Sequence, residues 1–106
     1  MTSPRILEES GLALDANEIG VTPTIDIDGR TIVSFGIYSD AGAHATHVVT
    51  LQCSLDGTNW HNVTDASITG IGIVGSVTVG TRYVRLKVST AEGASSTIDW
   101  ILQAKG

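Results

Sequence analysis

The chain reads as an all-β domain: an antiparallel β-sandwich or jelly roll of about seven to eight short strands, preceded by an N-terminal arm. Three observations predict this. Valine, isoleucine and threonine supply about a third of the 106 residues, and branching at Cβ favours extended backbone. Twelve glycines stand against two prolines, which suits many tight turns between short strands. Apolar residues recur with period two in one segment after another, and no segment carries a helical period. A closed barrel is the second choice.

The length predicts one domain that buries roughly two-thirds of the surface its unfolded form exposes, enough for a core without disulfides. The expected organisation is an arm over residues 1–20 and a sandwich over 21–106. No apolar run approaches the roughly 18 residues of a membrane span, so no membrane partner is expected. The net charge of −5 argues against nucleic acid, which needs a basic face. The start "MTSPRILEESG" lacks a basic flank followed by a long apolar stretch, so synthesis and folding in a reducing cytoplasm are expected. "NVT" at 62–64 is then a chance match to a glycosylation sequon.

Residues 1–20 look irregular but carry Ile6, Leu7, Leu12 and Leu14. Such an arm should lie on something, either its own sandwich or a neighbouring subunit, and these four residues are the candidates for partner binding. "TIDIDGRTIVSF" follows, with Asp28-Gly29 between β-rich runs, a hairpin signal of the type I′ kind. Asp26 and Asp28 fall short of a calcium loop, because a third ligand before the glycine is missing. "TIVSFGIYS" at 31–39 is nearly continuously apolar and reads as a central strand covered on both faces.

In the next strand His47, Val49, Leu51, Cys53 and Leu55 share one face, while Val48, Thr50, Gln52 and Ser54 share the other. Cys53 reads as a buried, inert thiol. The turn at Asp56-Gly57-Thr58-Asn59 reverses the chain into "WHNVT". In "ITGIGIVGSVTVG", Ile71, Ile73, Val77 and Val79 are in phase, and the glycines suggest a bulge or a close backbone approach. Last, Val84, Leu86 and Val88 alternate with Tyr83, Arg85 and Lys87, and Ile98, Trp100, Leu102 and Ala104 alternate with Asp99, Ile101 and Gln103. A hairpin placing Leu86 opposite Trp100 would set Val84, Leu86, Val88, Ile98, Trp100 and Leu102 on one face.

No catalytic set holds together: the chain has no G-x-S-x-G elbow, H-E-x-x-H, P-loop or CxxC, so no enzyme is expected. Asp28, Asp40, Asp56 and Glu92 fall at turns, and Asp99 takes a polar-out position in its strand. His44, His47 and His61 lack the clustering of a zinc site and read as exposed residues, so no metal or cofactor is expected. Arg82, Arg85 and Lys87 read as a solvated strand face. Trp60, Tyr38 and Tyr83 are the candidate sugar-stacking rings. Trp60 directly follows a turn and is weighed as a plug at the sandwich end against a ligand platform.

"SLDGTNW" at 54–60, followed by "TRYVRLKV" at 81–88, resembles the discoidin or coagulation-factor type C family of galactose-binding-like jelly rolls. Over most of 21–106, the strand-turn "SLDGTNW", the glycine-rich run and the ending "RYVRLKV…AKG" resemble short phage virion proteins, among them capsid decoration (cement) proteins. That second resemblance implies a homotrimer on the outer capsid surface of the virion. It would bind the major capsid protein and stabilise the head by multivalent protein–protein contacts. The alternatives are a phage tail or fibre component, or a carbohydrate-binding module of discoidin-like fold with Trp60 as its platform.

Overall fold

The computed structural model describes residues 7–15, 20–41, 47–90 and 97–106. Those residues form eight strands: β1 (Leu7–Asp15), β2 (Ile25–Asp26), β3 (Ile32–Ala41), β4 (Val48–Ser54), β5 (His61–Thr69), β6 (Gly72–Thr78), β7 (Tyr83–Thr90) and β8 (Thr97–Lys105). No helix is among them. Two four-stranded sheets result, sheet A in the order β1-β8-β3-β6 and sheet B in the order β2-β7-β4-β5. Every pairing is antiparallel. The all-β class is therefore as expected.

One apolar core joins the sheets. Sheet A contributes Val33, Phe35, Ile37, Ile98, Trp100, Leu102 and Ala104, and sheet B contributes Val49, Leu51, Ala66, Ile68, Val84, Leu86 and Val88. These are the period-two apolar positions of their strands, so the pleat places them all on inner faces.

The expected pairing of the last two strands is corrected. β7 lies in sheet B and β8 in sheet A, so Leu86 pairs with Leu51 and Trp100 with Ile37. Parity assigns a residue to a face but does not say whether the face opposite belongs to the same sheet. Both faces meet in one core, so the inward residues were identified while the hairpin was not.

The same holds at Asp28-Gly29. The turn forms, with φ of 52° and 77° at its two central residues and the Arg30 amide donating to the Ile27 carbonyl at 3.0 Å. It joins β2 of sheet B to β3 of sheet A and closes no hairpin. Of the consecutive pairs, only β4 and β5 are neighbours in one sheet; every other connection passes between sheets.

Residues 7–15, read as part of an irregular arm, run instead as β1 against β8, with Leu7 opposite Ala104 and Leu14 opposite Ile98. Ile6 lies outside the described residues. β3 is central in sheet A, as expected, but is not covered on both faces. Val33, Phe35 and Ile37 point inward, whereas Ser34, Gly36 and Tyr38 occupy the outer side, where Tyr38 is exposed.

The phase expected for Ile71, Ile73, Val77 and Val79 also breaks. Val33 pairs with Val77 but Phe35 with Val74, so Gly75 and Ser76 together oppose Ser34. Ser76 sits at φ 58° and its amide donates to Ser34 Oγ at 3.0 Å. This bulge reverses the alternation. Val74, Val77 and Val79 pack on the core, while Ile73 is 71% exposed and Ile71 49% exposed.

Candidate interaction surfaces

Two outer sheet faces carry the chain's unusual side chains. On sheet A, Gly36 of β3 pairs with Ile73 of β6 on one side and with Ile101 of β8 on the other. Paired residues share a face, so Ile101, Gly36 and Ile73 form one row across the sheet. Gly36 has a steric role here. A Cβ at that position would lie 2.8 Å from the Tyr38 hydroxyl and 3.0 Å from ring carbons. The Tyr38 ring therefore folds back over Gly36, between the two isoleucines. Ser34, Gly36, Tyr38, Ile73, Ile101 and Gln103 line a shallow groove of about 200 Å³. It is an apolar strip with polar ends.

The outer face of sheet B is polar and closely hydrogen-bonded. Thr50, Gln52 and Ser54, on the face opposite Val49 and Leu51, are buried. Thr50 Oγ1 bonds the hydroxyls of Ser67 and Ser89 at 2.9 Å each. Gln52 lies between Arg85 and Asn62: its Oε1 accepts from Arg85 Nε at 2.8 Å and its Nε2 donates to Asn62 Oδ1 at 2.9 Å. The pairing of Gln52 with Arg85 and with Asn62 sets this row.

Trp60 belongs to this outer face, which overturns its reading as a plug of the sandwich end. It is absent from the core and half-buried, with the Arg85 guanidinium carbon 4.3 Å from its ring centroid. Nor is it an open platform, because Arg85 occupies one of its faces. Leu55, expected to point inward, is 79% exposed. β4 ends at Ser54, and the loop turns away from the core there.

That loop is built on Asp56. Its Oδ1 accepts the amides of Thr58 and Asn59 at 2.8 Å each and the Ser54 hydroxyl at 3.0 Å. Oδ2 accepts from Asn59 Nδ2 at 2.6 Å. The Asn59 and Thr58 amides, then the Asn59 and Ser54 side chains, hold the Asp56 carboxyl far below the ordinary carboxylate range. Gly57 takes φ 78° beside the Tyr83 ring, 3.8 Å from where its Cβ would lie.

The remaining candidates are distributed as follows. Asp26 is engaged by Arg82, whose Nε and Nη2 lie 3.0 and 2.8 Å from its Oδ2. This bond and the Asp28 amide lower its pKa. Among the described residues no three of His, Cys, Asp or Glu group as a metal site would require. His61 is exposed, as read, but His47 is fully buried, its Nε2 2.9 Å from the Gly70 carbonyl oxygen. His44 and Glu92 lie outside the described residues. Cys53 is partly buried against the core.

The sequence pointed to Trp60 and Tyr38 but missed Arg85, Ile73 and Ile101. Ile101 carried a signal, an isoleucine in phase with Asp99 and Gln103 on the polar side of its strand. Ile73 carried none, because the bulge at Ser76 hides its phase. Comparison with protein-family models, curated proteins and solved structures found no match to this chain.

Proposed function

We propose that this chain is a phage virion structural protein, of the type that decorates a capsid and stabilises it by binding its outer surface. The observation that carries this reading is the outer face of sheet A, where Ile73, Ile101 and Tyr38 stand in an apolar strip on a strand surface. Contiguous exposed apolar surface marks contact with another macromolecule, and aromatic side chains are enriched at interface centres. The strand orders β1-β8-β3-β6 and β2-β7-β4-β5 support a jelly roll, an architecture common in viral shells and lectins. The resemblance of 54–60 and 81–88 to short phage virion proteins points the same way.

In this reading the action is mechanical. Each copy binds the major capsid protein, a homotrimer binds several such subunits at once, and linked contacts raise affinity without any single strong site. No catalysis is assigned. The carbohydrate-module alternative is weakened by Arg85, which takes one face of the only tryptophan outside the core. The test has two parts. Light scattering on the purified chain should give three times the monomer mass, and the protein should co-sediment with capsids that lack it. A monomer that stays in the supernatant would overturn the proposal.

A further inference from the structure

Arg85 lies between half-buried Trp60 and buried Gln52, with no counter-charge among the described residues. Its guanidinium lies over Trp60 at 4.3 Å and its Nε is spent on Gln52 Oε1 at 2.8 Å. Among the described residues the ion pairs go to Arg30 and Arg82, and none reaches Arg85. The Nη1 and Nη2 ends of the fork therefore have no partner among those residues. Asp26 is engaged by Arg82 and Asp56 by the amides of its own loop. Burial lowers the Arg85 pKa with no opposing charge.

An arginine fork with free Nη ends can take a charge-assisted hydrogen bond. This one is also preorganised. The cross-strand bond to Gln52, itself fixed by Asn62, and the indole beneath the guanidinium set its plane. The unoccupied edge is the one that takes an oxyanion through two parallel N–H···O bonds. Lys87 follows on the same side of β7, two residues on, which adds a second positive charge to this face of a chain of net charge −5.

We propose that Arg85 is a docking anchor for a carboxylate, an Asp or Glu side chain of a protein partner. Three features favour that occupant. Arg85 lies on the outer face of sheet B, half-buried, where a side chain presented by another surface can reach it. No helix terminus stands there to converge amides on a phosphate. One face of the indole is covered by Arg85, which leaves the guanidinium rather than the ring to meet the ligand. Trp60 is then a positioning residue that supports Arg85. The choice of a protein as partner rests on the proposed function; the carboxylate chemistry does not.

The experiment titrates the whole chain with a hexaglutamate peptide at moderate salt, where the net charge is screened. It reads tryptophan emission, to which Trp60 and the core Trp100 both contribute, and the NMR shift of Arg85 Nε–H. Hexaglutamine, glucuronate and inorganic phosphate are parallel probes. Hexaglutamate should give a saturable change that hexaglutamine does not, weakened about tenfold or more by Arg85→Gln, the scale of a charge-assisted hydrogen bond. Arg85→Lys, which keeps the charge without the fork, should fall between, and thermal melts confirm that both variants are folded. Silence toward hexaglutamate, an unchanged response in Arg85→Gln, or a response to glucuronate or phosphate alone would overturn it. Capsids take no part in this titration, so a failure to bind capsids would sink the proposed function and leave this anchor standing.

Discussion

His47 holds Gly70 at both of its backbone polar groups: its Nε2 donates to the Gly70 carbonyl at 2.9 Å, and its own carbonyl accepts the Gly70 amide at 2.9 Å. Gly70 sits at φ 73°, where the chain leaves β5 of sheet B for β6 of sheet A. The histidine thus fastens a crossing between sheets. His47→Leu should lower stability by about 1–3 kcal/mol, because the buried Gly70 carbonyl loses its donor. His47→Gln, which restores an N–H, should recover part of that in urea denaturation. Equal losses in both variants would assign the effect to ring volume instead.

The separation of β7 and β8 into different sheets is directly measurable. Cross-strand backbone NOEs should connect Leu86 with Leu51 and Trp100 with Ile37, and none should connect the backbones of Leu86 and Trp100. Observation of that last contact would restore the hairpin. Leu86→Ala should cost about 2–5 kcal/mol whichever sheet holds it, so stability alone cannot answer this question.

The Asp56 loop makes the fold acid-sensitive in a defined direction. Its folded-state pKa lies below the unfolded value near 3.8, so ionised Asp56 stabilises the fold fully above that value. This contribution fades as pH falls through the depressed folded value. Asp26, lowered by Arg82 and the Asp28 amide, acts with the same sign. Melting temperature should therefore drop on acidification from about pH 5 to about pH 2. Asp56→Asn should melt lower at neutral pH but change less across that window. Identical pH slopes for the two proteins would remove Asp56 from the account.

Ile73 tests the sheet A strip without disturbing the core. Its side chain is 71% exposed, so Ile73→Lys should change stability by no more than about 0.5 kcal/mol, the usual range for a surface site. Under the proposed function it should abolish co-sedimentation with capsids. Full binding by a well-folded Ile73→Lys would move the contact off this face.

The fold was more legible than the surfaces. Trp100, Leu86 and Leu102 announced themselves as core by alternation, and all are buried. Thr50, Gln52 and Ser54 alternate with the core residues of β4, yet they too are buried, hydrogen-bonded with Ser67, Asn62 and Asp56. Arg85 looked like one more solvated cation, because nothing local shows that Trp60, 25 positions earlier, lies against it.

By itself the sequence determined the β class, the inward residues of β4, β7 and β8, and the turns at Asp28-Gly29 and Asp56-Gly57. These follow from Cβ branching, period-two alternation and positive φ, all properties of a few adjacent residues. Tertiary structure alone decided which strands are partners, where the bulge at Ser76 turns Ile73 outward, and that Trp60 supports Arg85 rather than the core. A strand's alternation is satisfied by any apolar surface opposite it. Only the closing of both sheets on one core selects the neighbour, and with it the side chains left facing out.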